Sequence, residues 1–178
     1  MLKYIDTAVV FQELPDEVTL AVNLSGCPCH CPGCHSKHLW GDGGQPLDDE
    51  AIEHLLDACH QHISCISLMG GDSAPAEVDR LVAGIRQRHP RLKTAWWSGR
   101  SLLSPLVNIN NFDYVKLGPY LAHLGPLNSP STNQRLYRVE RGTLVDITQR
   151  LRKKGPKGLL NQADCHNVDA KTTAVDRL

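Results

Sequence analysis

Aromatic side chains are scarce in this chain of 178 residues, which has three Trp, four Tyr and two Phe. The hydrophobic core must therefore consist mainly of Leu, Val, Ile and Ala, and a single domain of this length can bury such a core. Lys plus Arg equals Asp plus Glu at 19 each, so the chain has no excess charge that would attract nucleic acid or a membrane surface. We expect neither nucleic acid nor a membrane as a partner.

Long apolar segments are also missing from the sequence. No stretch approaches the roughly 18 uninterrupted apolar residues of a membrane span. The first residues, MLKYID, lack the basic and apolar regions of a secretion signal. The cysteines are odd in number, seven, and concentrated in one loop, which suits a reducing compartment better than a disulfide framework. We therefore expect a cytoplasmic protein.

Cysteine is what the chain has in local excess. Four of the seven cysteines lie within the segment CPCHCPGC, from Cys27 to Cys34. Pro28, Pro32 and Gly33 stand between the thiols, so this segment cannot continue a helix or a strand and must form a loop. Core packing does not require thiols at this density. The candidates are zinc, an iron–sulfur cluster, a redox disulfide or no bound group at all.

Three of these cysteines, Cys27, Cys31 and Cys34, follow the spacing Cys-x3-Cys-x2-Cys and offer three ligands from one loop. Structural zinc sites take four protein ligands, and ordinary electron-transfer clusters take four cysteines. Three thiolates therefore indicate a metal centre with one open position, where chemistry can take place.

Cys29 supports a competing prediction. With it, the loop has four thiolates in the order Cys-x-Cys-x-Cys-x2-Cys, which is enough for a closed zinc site. Neighbouring imidazoles that could also ligate zinc are those of His30, His35 and His38. The alternative function is a zinc-binding interaction module without catalytic turnover.

Predicted strands alternate with predicted helices over the first 150 residues. Apolar and β-branched segments predict strands at residues 5–12, 17–24, 62–69, 92–97 and 112–117, with a last one within 136–145. Apolar residues at i, i+3, i+4 and i+7 predict one helix that carries Ile52 and Cys59 and another that carries Val78 and Ile85. Cys59 and Cys65 fit as small core residues.

This alternation predicts an α/β domain with a mostly parallel sheet, because right-handed βαβ units connect parallel strands. A complete (β/α)8 barrel needs about 250 residues, so we expect an open partial (β/α) barrel over residues 1–150. Residues 151–178 form a second segment, a basic tail to which no function is assigned.

Residues suited to a ligand site follow each predicted parallel strand. The cysteine loop follows the strand 17–24, Gly70-Gly71-Asp72 follows the next, and Ser98 and Lys116 lie at the ends of two more. Ligands of parallel α/β sheets bind at the carboxyl ends of the strands, so these residues should meet at one mouth. Each also has an ordinary interpretation: a turn before a helix, a turn serine and a solvated lysine.

The cysteine spacing together with Gly70-Gly71-Asp72 resembles the radical S-adenosylmethionine superfamily. In that family three loop cysteines hold a [4Fe-4S] cluster, S-adenosyl-L-methionine binds the fourth iron, and a Gly-Gly-Glu or Gly-Gly-Asp motif follows the second barrel strand. The resemblance implies that Cys27, Cys31 and Cys34 ligate the cluster. It implies contacts with S-adenosyl-L-methionine from Gly33, Cys34, His35, Gly70, Gly71, Asp72 and Ser98.

Gly33 departs from the pattern of the many superfamily members that carry an aromatic residue at this position. The Cys-Pro-Gly-Cys segment, followed by a polar stretch and Trp40, is similar instead to the activating proteins of anaerobic ribonucleotide reductase. Further similar segments within residues 1–145 are Asn23–Cys27, Leu68–Asp72, Trp96–Gly99 and Ser131–Arg135.

This closer resemblance implies a specific reaction. The cluster would cleave S-adenosyl-L-methionine reductively to a 5'-deoxyadenosyl radical, which would take hydrogen from a glycine of the anaerobic ribonucleoside-triphosphate reductase. The electron would come from a low-potential donor such as flavodoxin. Activation of another glycyl-radical enzyme, such as pyruvate formate-lyase, is the alternative within the superfamily.

Overall fold

The structure is a computed structural model that describes residues 1–59 and 62–152. The predicted tail, with Cys165, lies outside the described residues from residue 153 onward. The strands are β1 Leu2–Val10, β2 Thr19–Leu24, β3 Gln45–Leu47, β4 Cys65–Met69, β5 Lys93–Trp97, β6 Tyr114–Leu117, β7 Arg135–Glu140 and β8 Thr143–Asp146. The helices are α1 Asp49–Cys59, α2 Pro75–Arg88 and α3 Gln149–Arg152.

One eight-stranded sheet organises the fold, in the order β3-β1-β2-β4-β5-β6-β7-β8. The four central strands, β2, β4, β5 and β6, are parallel, while the pairs on either side are antiparallel. The prediction of an α/β fold is confirmed, and the parallel arrangement holds for the centre of the sheet. The edges are antiparallel because short connections form hairpins, whereas a parallel pair needs a long crossover.

Three elements differ from the sequence prediction. β1 begins earlier than predicted, at Leu2, and β3 was not predicted at all. The single strand predicted within 136–145 is a hairpin, in which β7 and β8 are joined by Arg141 and Gly142. Both turn residues have positive φ, 51° and 75°, as a two-residue hairpin turn of this kind requires.

Helices α1 and α2 cover one face of the sheet, and the main core lies between them and that face. Asp48 caps α1, since the Ala51 backbone N–H donates to its Oδ1 at 2.9 Å. The predicted apolar stripes are confirmed, because the buried helix residues are Ile52, Leu56, Cys59, Val78, Leu81, Val82 and Ile85. Within residues 1–59 and 62–152, none of the helices has the length and apolar character needed to cross a membrane.

Loops and the short helix α3, through Leu151, pack against the opposite face of the sheet. Leu14 from the β1–β2 connection and Leu127 from the β6–β7 connection pack there, in a second and smaller core that also contains Cys65. Both Cys59 and Cys65 are therefore core residues, as predicted. The face that the loops cover is the one that carries Trp97 and Lys116, which are register partners on β5 and β6.

Candidate metal and cofactor site

The cysteine loop starts directly after β2, and backbone hydrogen bonds close its base. The Gly26 N–H donates to the carbonyl of Gly41 at 2.8 Å, and the Cys27 N–H donates to the carbonyl of Leu39 at 3.0 Å. These two bonds tie the beginning of the loop to its end. The thiols are therefore presented by a loop with both ends fixed at the carboxyl edge of the parallel strands.

The turn that carries the last cysteine is also ordered by hydrogen bonds. The Cys34 N–H donates to the carbonyl of Cys31 at 3.0 Å, and Gly33 between them has a φ of 78°, which favours glycine. The Ser36 N–H points at the Cys34 sulfur at 3.4 Å. Hydrogen bonds of this kind accompany the sulfur ligands of iron–sulfur clusters and tune their potentials.

The cysteines Cys27, Cys29, Cys31 and Cys34 are free of disulfides, with Cys31 buried and the others half-buried. Across the described residues, no three Cys, His, Asp or Glu side chains are grouped as ligands of a metal ion. A [4Fe-4S] cluster takes one cysteine at each iron corner, so its ligands do not converge on one point as those of zinc do. The anchored loop of thiols, with a backbone donor at Cys34, fits such a cluster.

Asp72, the third residue of the Gly-Gly-Asp motif, is buried at the end of β4. Its Oδ1 accepts a hydrogen bond from Ser98 Oγ at 2.5 Å, and its Oδ2 accepts one from the Gly99 N–H at 2.8 Å. The structure thus brings together the predicted site residues Asp72 and Ser98. The polar atoms of this pair bind each other and join the turns that follow β4 and β5.

Gly70 and Gly71 lie in the same turn, with φ values of 108° and 84°. A Cβ at Gly71 would lie 2.6 Å from Val78 Cγ2 and 2.9 Å from Leu24 Cδ1. The resemblance explained this glycine by close approach of the cofactor to the backbone. Packing of α2 against β2 beneath the turn gives a second, structural reason.

Cys29 packs against the same two turns. Its Sγ lies 3.9 Å from Asp72 Oδ2, and a Cβ at Gly99 would lie 2.6 Å from that sulfur. Burial, reinforced by the negative charge of Asp72, raises the pKa of the Cys29 thiol to about 12. The Cys29 sulfur is thus in contact with the turns that follow β4 and β5.

Lys116 is buried, so the prediction of a solvated lysine is wrong. Its Nζ donates to the carbonyl of Gly118 at 2.6 Å and to that of Ser98 at 3.4 Å, and it lies 6.0 Å from the centre of the Trp97 ring. Burial lowers the pKa of Lys116 to about 8, although the charge of Asp72 opposes the shift. The missed signal was its place inside the strand Tyr114–Leu117, in which all four residues are buried.

The β6–β7 connection, residues 118–134, also contacts the cysteine loop, which the sequence did not predict. A Cβ at Gly33 would lie 3.4 Å from Ala122 Cβ and 3.7 Å from Tyr120 Cε1. The rings of His35 and Tyr120 are 5.7 Å apart between centroids. The connection has no apolar periodicity, so only the Gly118-Pro119 turn signalled that it leaves the sheet.

Three residues at this edge have a buried polar atom without a hydrogen-bond partner in the described structure. They are Trp40 and Trp97, each through its Nε1, and Asn133, through its Oδ1. The amide nitrogen of Asn133 donates to the carbonyl of Pro119 at 2.9 Å, which ties the end of the connection to its beginning. Unpaired buried groups are costly in stability and are more often found where a ligand binds.

An α/β sheet with an anchored three-cysteine loop at the carboxyl edge of its parallel strands defines a class of iron–sulfur protein. A family model described as a 4Fe-4S single cluster domain matches residues 17–118, and the chain belongs to that family. The match covers the cysteine loop, the Gly-Gly-Asp turn, Ser98 and Lys116.

Comparison with individual relatives shows a more specific similarity. The anaerobic ribonucleoside-triphosphate reductase-activating protein of Salmonella typhimurium strain LT2 is 36% identical over 88 residues, which cover 44% of this chain and 56% of the relative. The protein of that name from Escherichia coli strain K12 is 38% identical over 89 residues, with the same shares. The chain therefore spans about half the length of the curated relatives it matches. The resemblance to these activating proteins is confirmed.

Proposed function

We propose that this chain activates the anaerobic ribonucleoside-triphosphate reductase by means of a [4Fe-4S] cluster and S-adenosyl-L-methionine. The observation that carries the proposal is the loop with Cys27, Cys31 and Cys34, anchored beside the Asp72–Ser98 pair in a chain of the 4Fe-4S single cluster family. The names of its relatives support the reductase as the partner.

When bound, the cluster and S-adenosyl-L-methionine supply a one-electron reductive cleavage that yields a 5'-deoxyadenosyl radical. The chain's own residues bind, orient and shield these groups. Cys27, Cys31 and Cys34 would hold three irons, and the Ser36 N–H donates toward the Cys34 sulfur. Asp72 and Ser98 fix the turns beside the open position.

The charge of the site also suits this role. Lys116 provides a buried ammonium group at the same edge, bound only by backbone carbonyls in its recorded hydrogen bonds. An ammonium group in such a place attracts anionic parts of a ligand or a cluster with thiolate ligands. The β6–β7 connection lies against the cysteine loop at Gly33.

The sheet with its parallel centre would form the open partial barrel over residues 1–150. The mouth of this barrel would be available to a protein loop that carries the target glycine. A low-potential donor such as flavodoxin would reduce the cluster in the cytoplasm.

The test uses the whole chain, reconstituted anaerobically with iron and sulfide. Reduced protein, S-adenosyl-L-methionine and an anaerobic ribonucleotide reductase should together give 5'-deoxyadenosine and a doublet glycyl-radical signal on the reductase. The signal should vanish when the reductase's radical-forming glycine is changed to alanine.

Two other results would contradict the proposal, one concerning the partner and the other the enzymatic activity. If S-adenosyl-L-methionine is cleaved and the radical forms on pyruvate formate-lyase but not on the reductase, then pyruvate formate-lyase is the partner. If the protein contains stoichiometric zinc and shows no iron–sulfur absorption after reconstitution, it is a zinc-binding interaction module and not an enzyme.

A further inference from the structure

Two aromatic rings lie beside the turn that carries the last cluster cysteine. The Tyr120 ring edge is 3.7 Å from the position that a Cβ of Gly33 would take. The ring of His35, on the other side of Cys34, lies 5.7 Å from the Tyr120 ring at an interplanar angle of 56°. Tyr120 is half-buried and His35 is exposed, so aromatic surface is available beside the cysteine loop.

Hydrogen bonds hold the backbone around Tyr120 in this place. The Gly118 N–H donates to the carbonyl of Arg100 at 2.7 Å, which anchors the connection to the turn after β5. Asn133 Nδ2 donates to the carbonyl of Pro119 at 2.9 Å. Tyr120 is therefore held between the cysteine loop and the ends of two parallel strands.

We propose that Tyr120, with His35 beside it, forms the aromatic surface on which the adenine of S-adenosyl-L-methionine stacks. This inference rests on the proposed function, which brings that cofactor to the open position next to Cys34. A purine base stacks on an aromatic side chain through its π face and needs no charged partner. Gly33 has no side chain of its own, and of the two side chains within 4 Å of its Cβ position, those of Ala122 and Tyr120, only that of Tyr120 is aromatic.

Variants at Tyr120 separate aromatic stacking from mere bulk. We expect Tyr120→Leu to weaken binding of S-adenosyl-L-methionine about tenfold, the typical effect of removing a base-stacking ring. Tyr120→Phe keeps the ring and should remain within about twofold of the unchanged protein. Binding is measured by calorimetry on the anaerobically reconstituted chain, so the readout does not depend on turnover.

Methionine provides a matched ligand control, because it shares the amino-acid part of the cofactor and lacks the adenine. Its affinity for the cluster-loaded protein should be the same in Tyr120→Leu as in the unchanged chain. His123→Ala is the matched protein control, since His123 is exposed on the same connection. It should leave both affinities unchanged, and iron content is measured for each variant to verify the cluster.

Each other outcome overturns the inference. Unchanged S-adenosyl-L-methionine affinity in Tyr120→Leu would remove the stacking role and leave the proposed function intact. Equal losses for Tyr120→Leu and Tyr120→Phe, or a parallel loss of methionine affinity or of iron, would make Tyr120 a structural residue. A cluster-loaded, unchanged protein that does not bind S-adenosyl-L-methionine would refute the proposed function itself, and the inference with it.

Discussion

The polar groups at the two ends of the central parallel strands differ in how far they are paired with one another. At the amino end, the buried carboxylate of Glu17 accepts hydrogen bonds from Tyr114 Oη at 2.8 Å and Ser64 Oγ at 2.6 Å, and it pairs with Lys93. At the carboxyl end lie four thiols, a buried lysine and three residues with an unpaired polar atom, whereas the amino end has one such residue, Thr19, in the described structure. Mutual pairing makes the first end a structural clamp, and the second end keeps groups available for a ligand.

The ionisation of the amino-end groups agrees with this division. The hydrogen bond to Glu17 raises the pKa of Lys93 above its ordinary range, so this cation is stabilised by its partner. At the carboxyl end, burial lowers the pKa of Lys116 to about 8, so this cation is destabilised where it stands. A charge held at a cost in stability is typical of functional sites.

The largest expected effect concerns the thiols of the carboxyl end. Cys27→Ala, Cys31→Ala or Cys34→Ala should abolish the cluster, because each removes one of three indispensable ligands. Cys29→Ala should retain it, and so serves as the matched control from the same loop. Iron and sulfide content with the absorption spectrum measures the outcome. Loss of iron in Cys29→Ala would instead support a four-thiolate site.

Gly71→Ala should come next, with a loss of about 4 kcal/mol in the free energy of unfolding. Overpacking against Val78 and Leu24 costs about 1–3 kcal/mol, and the left-handed backbone adds about 1–2 kcal/mol. Gly41→Ala is the control, since a Cβ there meets nothing within 4 Å. Urea unfolding compares the two variants, and equal stabilities would show that the turn relaxes around the new methyl group.

Lys116→Met should stabilise the protein at pH 7 by up to about 3 kcal/mol, because the folded state no longer buries a charge. Between the folded pKa of about 8 and the unfolded value, the unfolded lysine binds more protons than the folded one. Lys116 therefore contributes a rise in stability with pH across this window, which should appear as a shrinking difference between Lys116→Met and the unchanged protein.

Unfolding free energies of the metal-free protein at pH 7 and pH 10 test this expectation. Lys37→Met, at an exposed lysine of the cysteine loop, should follow the unchanged protein. The same change of stability with pH in Lys116→Met and in the unchanged chain would mean that the pKa of Lys116 is not lowered by folding.

The smallest of these effects should come from the amino end. Glu17→Gln should lower the free energy of unfolding by about 2 kcal/mol, because hydrogen bonds to a charged group are weakened while the volume is kept. Lys93 is about half exposed, which limits the loss. Iron content should not change, since this clamp lies at the opposite end of the strands. A variant that loses iron but not stability would break the proposed division between the two ends.

Periodic segments were the predictable part of the fold. The stripes from Ile52 to Cys59 and from Val78 to Ile85 define helices without tertiary information, and the apolar strands between them define the parallel centre. β3 escaped prediction because it has only three residues, one of them Pro46, and forms by pairing with β1. The β7–β8 hairpin was not predicted, because its turn is Arg141-Gly142 and lacks an Asn-Gly or Asp-Gly signal.

The site was predictable where residues follow a strand directly. Asp72 and Ser98 were expected at one edge and are hydrogen-bonded to each other. The contact between Gly33 and Tyr120 was not predictable, because 87 positions separate the two residues and only the course of residues 118–134 brings them together. The burial of Lys116 likewise depends on what covers the second face of the sheet.

The closed base of the cysteine loop has a consequence for the entropy of binding. The hydrogen bonds from Gly26 to the carbonyl of Gly41 and from Cys27 to that of Leu39 join protein atoms only, so the entropy of closing the loop is lost when the chain folds. A group that binds to the thiols does not have to bring the two ends of the loop together, and this part of the ordering cost does not weaken its binding.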